Sequence, residues 1–160
     1  MIPLSIHGKA PRLHLYLMHT FVMDSQGDFL AALKSTYSVQ LLADSRKPMF
    51  TYDYDREPAN KYPGAHMHVT AASDDYDKAI ESVDCEPKKL DDIHFPVGGK
   101  RYRPILEDLL EMLIIEGMVD AHPAWKDAIE AGRAGWYKRQ LMAAVRNDPE
   151  SAREALGLAH

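Results

Sequence analysis

Residues 94–104 read His94-Phe95-Pro96-Val97-Gly98-Gly99-Lys100-Arg101-Tyr102-Arg103-Pro104. Before this stretch apolar and polar residues tend to alternate, as in strands; after it the apolar residues recur at helical spacing. The chain therefore switches from sheet to helix here, and the expected fold class is α+β. An antiparallel sheet is expected from the N-terminal two-thirds, about residues 12–95, with C-terminal helices over about residues 104–157 packed on one face. Strands followed by helices, without alternation, argue against a doubly wound α/β fold. The 160 residues are read as one domain, 1–160.

The stretch itself has chemistry. Gly98 and Gly99 tolerate positive φ and expose backbone N–H groups. Pro104 suits the first position of a helix. A helix beginning there aims its unpaired N–H groups and positive dipole end back at the glycines. With Lys100, Arg101 and Arg103 alongside, the set Gly98, Gly99, Lys100, Arg101 and Arg103 is a candidate phosphate site. Neither a P-loop nor a GxGxxG pattern is present, so no nucleotide fingerprint is claimed. The same residues also suit a plain strand-to-helix turn whose cations are solvated or pair with acids.

Upstream, residues 1–11 carry Pro3, Gly8 and Pro11 and read as an irregular lead-in. From Arg12 to Met23, Leu13, Leu15 and Leu17 alternate with His14, Tyr16 and Met18, the period of a strand. Phe29–Lys34 reads as a second strand or a short helix, and Tyr37–Ala43 as a further strand. Met49–Asp55 and Ala65–Ala71 complete an antiparallel meander, and Lys89–Phe95 is a candidate last strand. Ser73 suits the N-cap of a helix over Asp74–Val83.

Downstream, Ile105–Glu116 is apolar except for a narrow stripe at Glu107, Asp108 and Glu111, and Gly117 stops it. A helix this apolar is expected to be buried. Pro123 opens a longer helix to about Asn147. On it Trp125, Ile129, Gly132 and Trp136 share a face, followed by Leu141, Ala144 and Val145. Asp148-Pro149 starts a short final helix.

Composition narrows the function. Apolar content of 46% and charged content of 27% are those of an ordinary soluble chain, and a net charge of −5 argues against a generally basic nucleic-acid coat. Residues 73–92 set Asp74, Asp75, Asp77, Glu81, Asp84, Glu86, Asp91 and Asp92 against Lys78, Lys88 and Lys89, and hold the whole net negative charge. A local basic site beside an acidic flank therefore remains open. Cys85 is the only cysteine, which fits a reducing cytoplasm, and no membrane span or signal pattern is read.

His66-Met67-His68 is the sharpest local pattern. Residues two apart on a strand share a face, so both imidazoles point the same way. That suits half a metal site or an acid/base pair near a phosphate. Asp53 and Asp55 share a face of the preceding strand; in one register they join His66 and His68, and a slip of one residue separates them. The alternative is a solvent-facing polar side, with Tyr52, Tyr54 and Met67 on the core side. His94, just before the glycine turn, suits either the pocket of Lys100 and Arg103 or a capping, hydrogen-bonded place at a strand end. The catalytic candidates are thus His66, His68, Asp53 and His94; no metal is assigned, and no cofactor is read.

The block Tyr52-Asp53-Tyr54-Asp55 with His66-Met67-His68, on paired strands before a helical tail, resembles TumE-like small bacterial toxins over residues 12–70. That resemblance implies a partner antitoxin of nucleotidyltransferase type and makes His66 and His68 the positions to test. His94–Pro104 with the leucine-rich helix resembles a block in uncharacterised small proteins of bacteria and phages, which implies no activity. The function expected is a small cytoplasmic toxin-like or RNA-directed protein, nuclease-like, with a histidine-containing phosphate site. Its partners would be RNA or a nucleotide, or an antitoxin-like protein. The alternative is a non-catalytic regulatory module that binds a protein or a second copy of itself through its helices.

Overall fold

The computed structural model describes residues 1–24, 27, 29–41, 47–59, 62–76 and 89–158; of Lys100 only the backbone is described. Six strands run β1 (Ile2–Leu4), β2 (Leu13–Met23), β3 (Leu30–Gln40), β4 (Phe50–Asp55), β5 (Ala65–Val69) and β6 (Phe95–Pro96). They lie side by side in chain order, every pair antiparallel. The helices follow: a single turn α1 (Gly99–Tyr102), then α2 (Leu106–Ile115), α3 (Trp125–Asn147) and α4 (Pro149–Ala155). This is the α+β order of sheet then helix. None of the helices among the described residues is long and apolar enough to cross a membrane.

Alternation places the core. Leu13 and Leu15 of β2, Tyr37 and Val39 of β3, and Phe50 and Tyr52 of β4 share one face, and Leu109 and Leu113 of α2 pack onto it. Leu15, Val39, Leu109 and Leu113 are fully enclosed. The opposite face carries Ser38, Thr36, Thr51, Asp53, His66 and His68. The helices thus cover one side of the sheet, and the histidines stand on the other.

Several expectations are corrected. The lead-in contains a strand, because Ile2–Leu4 finds an open edge of β2. Phe29–Lys34 and Tyr37–Ala43 are not two elements but one strand, Leu30–Gln40. Pairing along nearly the whole of β2 overrides the helix preference of Ala31-Ala32-Leu33. Leu42 and Ala43 lie outside the described residues. Residues 89–95 are not a full strand: Leu90–Asp92 is a 3-10 turn, and pairing is confined to Phe95–Pro96. Cys85 and the body of the helix expected over Asp74–Val83 lie outside the described residues; residues 74–76 are helical, and Ser73 Oγ accepts the Tyr76 N–H at 3.3 Å.

The helix after Pro104 begins later than expected. Arg103 and Ile105 are extended, and Ile105 is the N-cap, its N–H donating to Asp108 at 3.0 Å. Gly117, at φ 66°, ends α2 with its N–H on the Ile114 carbonyl. The polar stripe of α2 is turned towards α3: Arg133 bonds Asp108 at 3.0 Å and also pairs with Glu111. Along α3, Ile129 is buried while Trp125, Gly132, Trp136 and Ala144 are half-buried; Leu141 and Val145, expected to follow that face, are exposed.

Candidate functional site

β4 and β5 pair with Asp53 opposite His66, Tyr52 opposite Met67 and Thr51 opposite His68. This is the register that puts Asp53, His66 and His68 on one face. β6 pairs with β5 so that His66 meets Pro96 and Met67 meets Phe95. Continuing that register by one residue brings His94 opposite His68. The three imidazoles cluster: ring centroids are 5.1 Å apart for His66 and His68, 4.7 Å for His66 and His94, and 4.3 Å for His68 and His94. One nitrogen from each lies within 4.8 Å of the others, and all three residues are half-buried.

Local chain geometry orients two of the rings. Gly64 opens β5 with its carbonyl accepting the Asp55 N–H at 2.7 Å; a Cβ at Gly64 would sit 2.8 Å from the Asp55 carbonyl oxygen. In the same turn the Pro63 carbonyl lies 2.7 Å from His66 Nδ1. A carbonyl only accepts, so Nδ1 carries a proton, and in the neutral ring the lone pair is on Nε2. His94 is stacked face to face with Tyr62, at 3.7 Å and 5°. Asp53 stands beside the cluster, not within it. Its carboxylate accepts the Thr36 hydroxyl at 2.6 Å. Asp55 is engaged elsewhere, paired with Lys34 at 2.7 Å and accepting the Glu57 N–H; the lysine first and then that N–H hold its pKa below the ordinary carboxylate value.

The structure does not bring the cationic turn into this cluster. Gly98 and Gly99 do have positive φ, 61° and 62°, and the Val97 N–H bonds Ala65 of β5, so the turn flanks the histidine strand. The Arg103 guanidinium, however, lies 3.8 Å over the ring of Tyr54 and 5.6 Å from that of Trp136. Tyr54 is on the core face, one residue out of phase with Asp53, so Arg103 is on the opposite side of the sheet from His66. Burial pulls the Arg103 pKa down from the ordinary guanidinium value. Arg101 donates to the Ala143 carbonyl of α3 at 3.4 Å. The Lys100 side chain lies outside the described residues. A one-turn helix, capped by Gly98 and beginning at Gly99, also precedes α2, so the dipole of α2 does not end at the glycines.

His94 is therefore placed with His66 and His68, not with Arg103. Sequence reasoning missed Tyr62 and the Pro63 carbonyl as orienting groups. The signal was present in Tyr62-Pro63-Gly64, a tight turn leading straight into His66. Comparison with protein-family models, curated proteins and solved structures finds no match. What the site does has to be read from its own chemistry.

Proposed function

We propose that this protein is a small cytoplasmic, toxin-like protein directed at RNA or a nucleotide, and that His66, His68 and His94 activate the oxygen that attacks a phosphodiester. The observation that carries this reading is the convergence of three imidazoles from two separate chain segments on one sheet face. Attack on phosphorus needs a group that takes a proton near neutral pH, and imidazole is the side chain suited to that. The proton on His66 Nδ1 is committed to Pro63, which leaves Nε2 as the accepting nitrogen. Asp53, fixed by Thr36, supplies negative charge beside a cluster that gains positive charge as it works. The likeness of Tyr52–Asp55 and His66–His68 to TumE-like toxins points the same way, towards His66 and His68 as the working residues and an antitoxin-type partner.

A second reading, a binding module without chemistry, is favoured by one observation: Leu141, Met142 and Val145 of α3 are exposed in a row with Tyr137. Expression in bacterial cells separates the two. The catalytic reading expects growth arrest and RNA loss from the unaltered chain. It expects both effects to vanish in His66→Ala, His68→Ala and His94→Ala while circular dichroism is unchanged. Silence of those three substitutions, with loss of effect in Leu141→Lys and Val145→Lys, assigns the activity to the helix surface instead.

A further inference from the structure

We infer that His66, His68 and His94 form a three-imidazole binding site for a divalent transition ion of the zinc class. The inference rests on reading this cluster as the working site; it does not depend on RNA being the substrate.

The ligand set has the right donors. Imidazole nitrogen suits zinc, copper, nickel and iron, whereas calcium and magnesium take oxygen. Two donors come from β5 and one from the residue just before β6, and among the described residues no fourth histidine, cysteine or carboxylate joins the set. Catalytic zinc sites share this pattern of three protein ligands and an open position, whereas structural sites are closed by four. The nitrogens lie within 4.8 Å of one another. A tetrahedral ion with bonds of about 2.0–2.1 Å needs them about 3.3 Å apart. Two ring pairs meet edge against face, at 88° and 72°, and the third is tilted at 53°, so modest rotations of half-buried side chains close the set around one ion.

The surroundings support the same assignment. Metal-ligating histidines characteristically donate their second ring N–H to a carbonyl or carboxylate, which fixes tautomer and orientation. His66 has this feature through Pro63 at 2.7 Å. Tyr62 stacked on His94 restricts the only ligand that does not come from β5. Asp53, opposite His66 in the pairing, places a carboxylate beside the cation without entering the ligand set. A bound ion of this kind makes its water acidic enough to act as a nucleophile near neutral pH. With the ion bound, it and not His66 Nε2 activates the attacking oxygen, and the imidazoles hold the ion.

The test is titration of the full chain, freed of metal by chelation, with Zn²⁺ by calorimetry and with Co²⁺ by visible absorption. One equivalent is expected to bind, and the Co²⁺ bands should have the intensity of a four-coordinate site. His66→Gln, His68→Gln and His94→Gln should each weaken binding at least tenfold, while His7→Asn, remote in sequence from the cluster, should not change it. In the unsubstituted protein Zn²⁺ should shift the imidazole ¹⁵N resonances of these three histidines, a readout that survives any folding defect in the variants. The inference is overturned if no equivalent binds, or if the shifts fall on other histidines. RNA cleavage that persists in excess chelator would remove the ion while leaving the phosphodiester reading intact. Stoichiometric binding without any effect on RNA would do the reverse.

Discussion

His66 is oriented by the residues just before it. Pro63 supplies the acceptor, Gly64 permits the close approach to Asp55, and two residues later the strand alternation repeats an imidazole at His68. Of these, only the shared face of His66 and His68 was read from the sequence; the Pro63 acceptor and the approach of Gly64 to Asp55 came with the structure. Gly98 is a second position where one residue decides the backbone. Its φ is 61°, and a Cβ there would run into the backbone carbonyl of Tyr102. Gly99 has nearly the same φ, 62°, but open space around its missing Cβ. Thermal or urea unfolding should therefore separate them. Gly99→Ala carries the left-handed penalty alone, about 1 kcal/mol. Gly98→Ala must also displace the α1 turn and is expected to lose more, up to about 3 kcal/mol. Equal losses would show that the turn yields freely and that Gly98 is needed only for its φ. The roles of the two arginines were not legible at this scale. Arg101 and Arg103 look alike beside the glycines, yet one bonds the Ala143 carbonyl and the other stacks on Tyr54.

At the scale of elements, α2 lies between the sheet and α3, and its faces do different work. Leu109 and Leu113 are 1% and 0% exposed against Leu13, Leu15 and Val39, whereas Ile115, in the same apolar run, is 67% exposed. Leu113→Ala should destabilise by about 2–5 kcal/mol, the range for an enclosed leucine whose cavity does not collapse. Ile115→Ala should stay within about 0.5 kcal/mol. Chemical denaturation of the two variants checks both. The pattern showed that α2 is mostly buried. It did not show that Asp108 and Glu111 of the polar stripe pair with Arg133 of α3, because a polar stripe reads the same whether it faces water or a second helix. Strand ends were also misjudged where pairing outweighed composition. β1 exists because β2 offers it an edge, and β3 is continuous because β2 spans its length.

Across the whole molecule, the start of the chain is fastened to the connection between α2 and α3. The Asp120 carboxylate accepts the N–H groups of His7 and Gly8 at 2.7 and 2.8 Å, and the Asp120 N–H donates to Ser5 at 2.7 Å. His7 and Gly8 have positive φ, 53° and 64°, which points consecutive N–H groups at one anion. Those bonds, Gly8 first and then His7, hold the Asp120 pKa below its ordinary value. A carboxyl group with a depressed folded pKa stabilises the fold fully above the unfolded value and loses that effect as pH falls through the folded one. Asp120→Asn should therefore lower the melting temperature at pH 7, and the difference from the unaltered protein should shrink below about pH 4, the unperturbed carboxylate range. A constant difference down to pH 2 would mean that the charge is not what the segment senses. The chain by itself determined the α+β class and the shared face of His66 and His68, since both follow from periodicity within a few residues: two before His94, near 3.6 after Pro104. Only the tertiary structure decided that His94 joins them and that Arg103 does not. Those outcomes depend on the register of β4, β5 and β6 and on which face the helices cover. Register and coverage are set by contacts between distant residues, and a shift of one position would exchange the two faces.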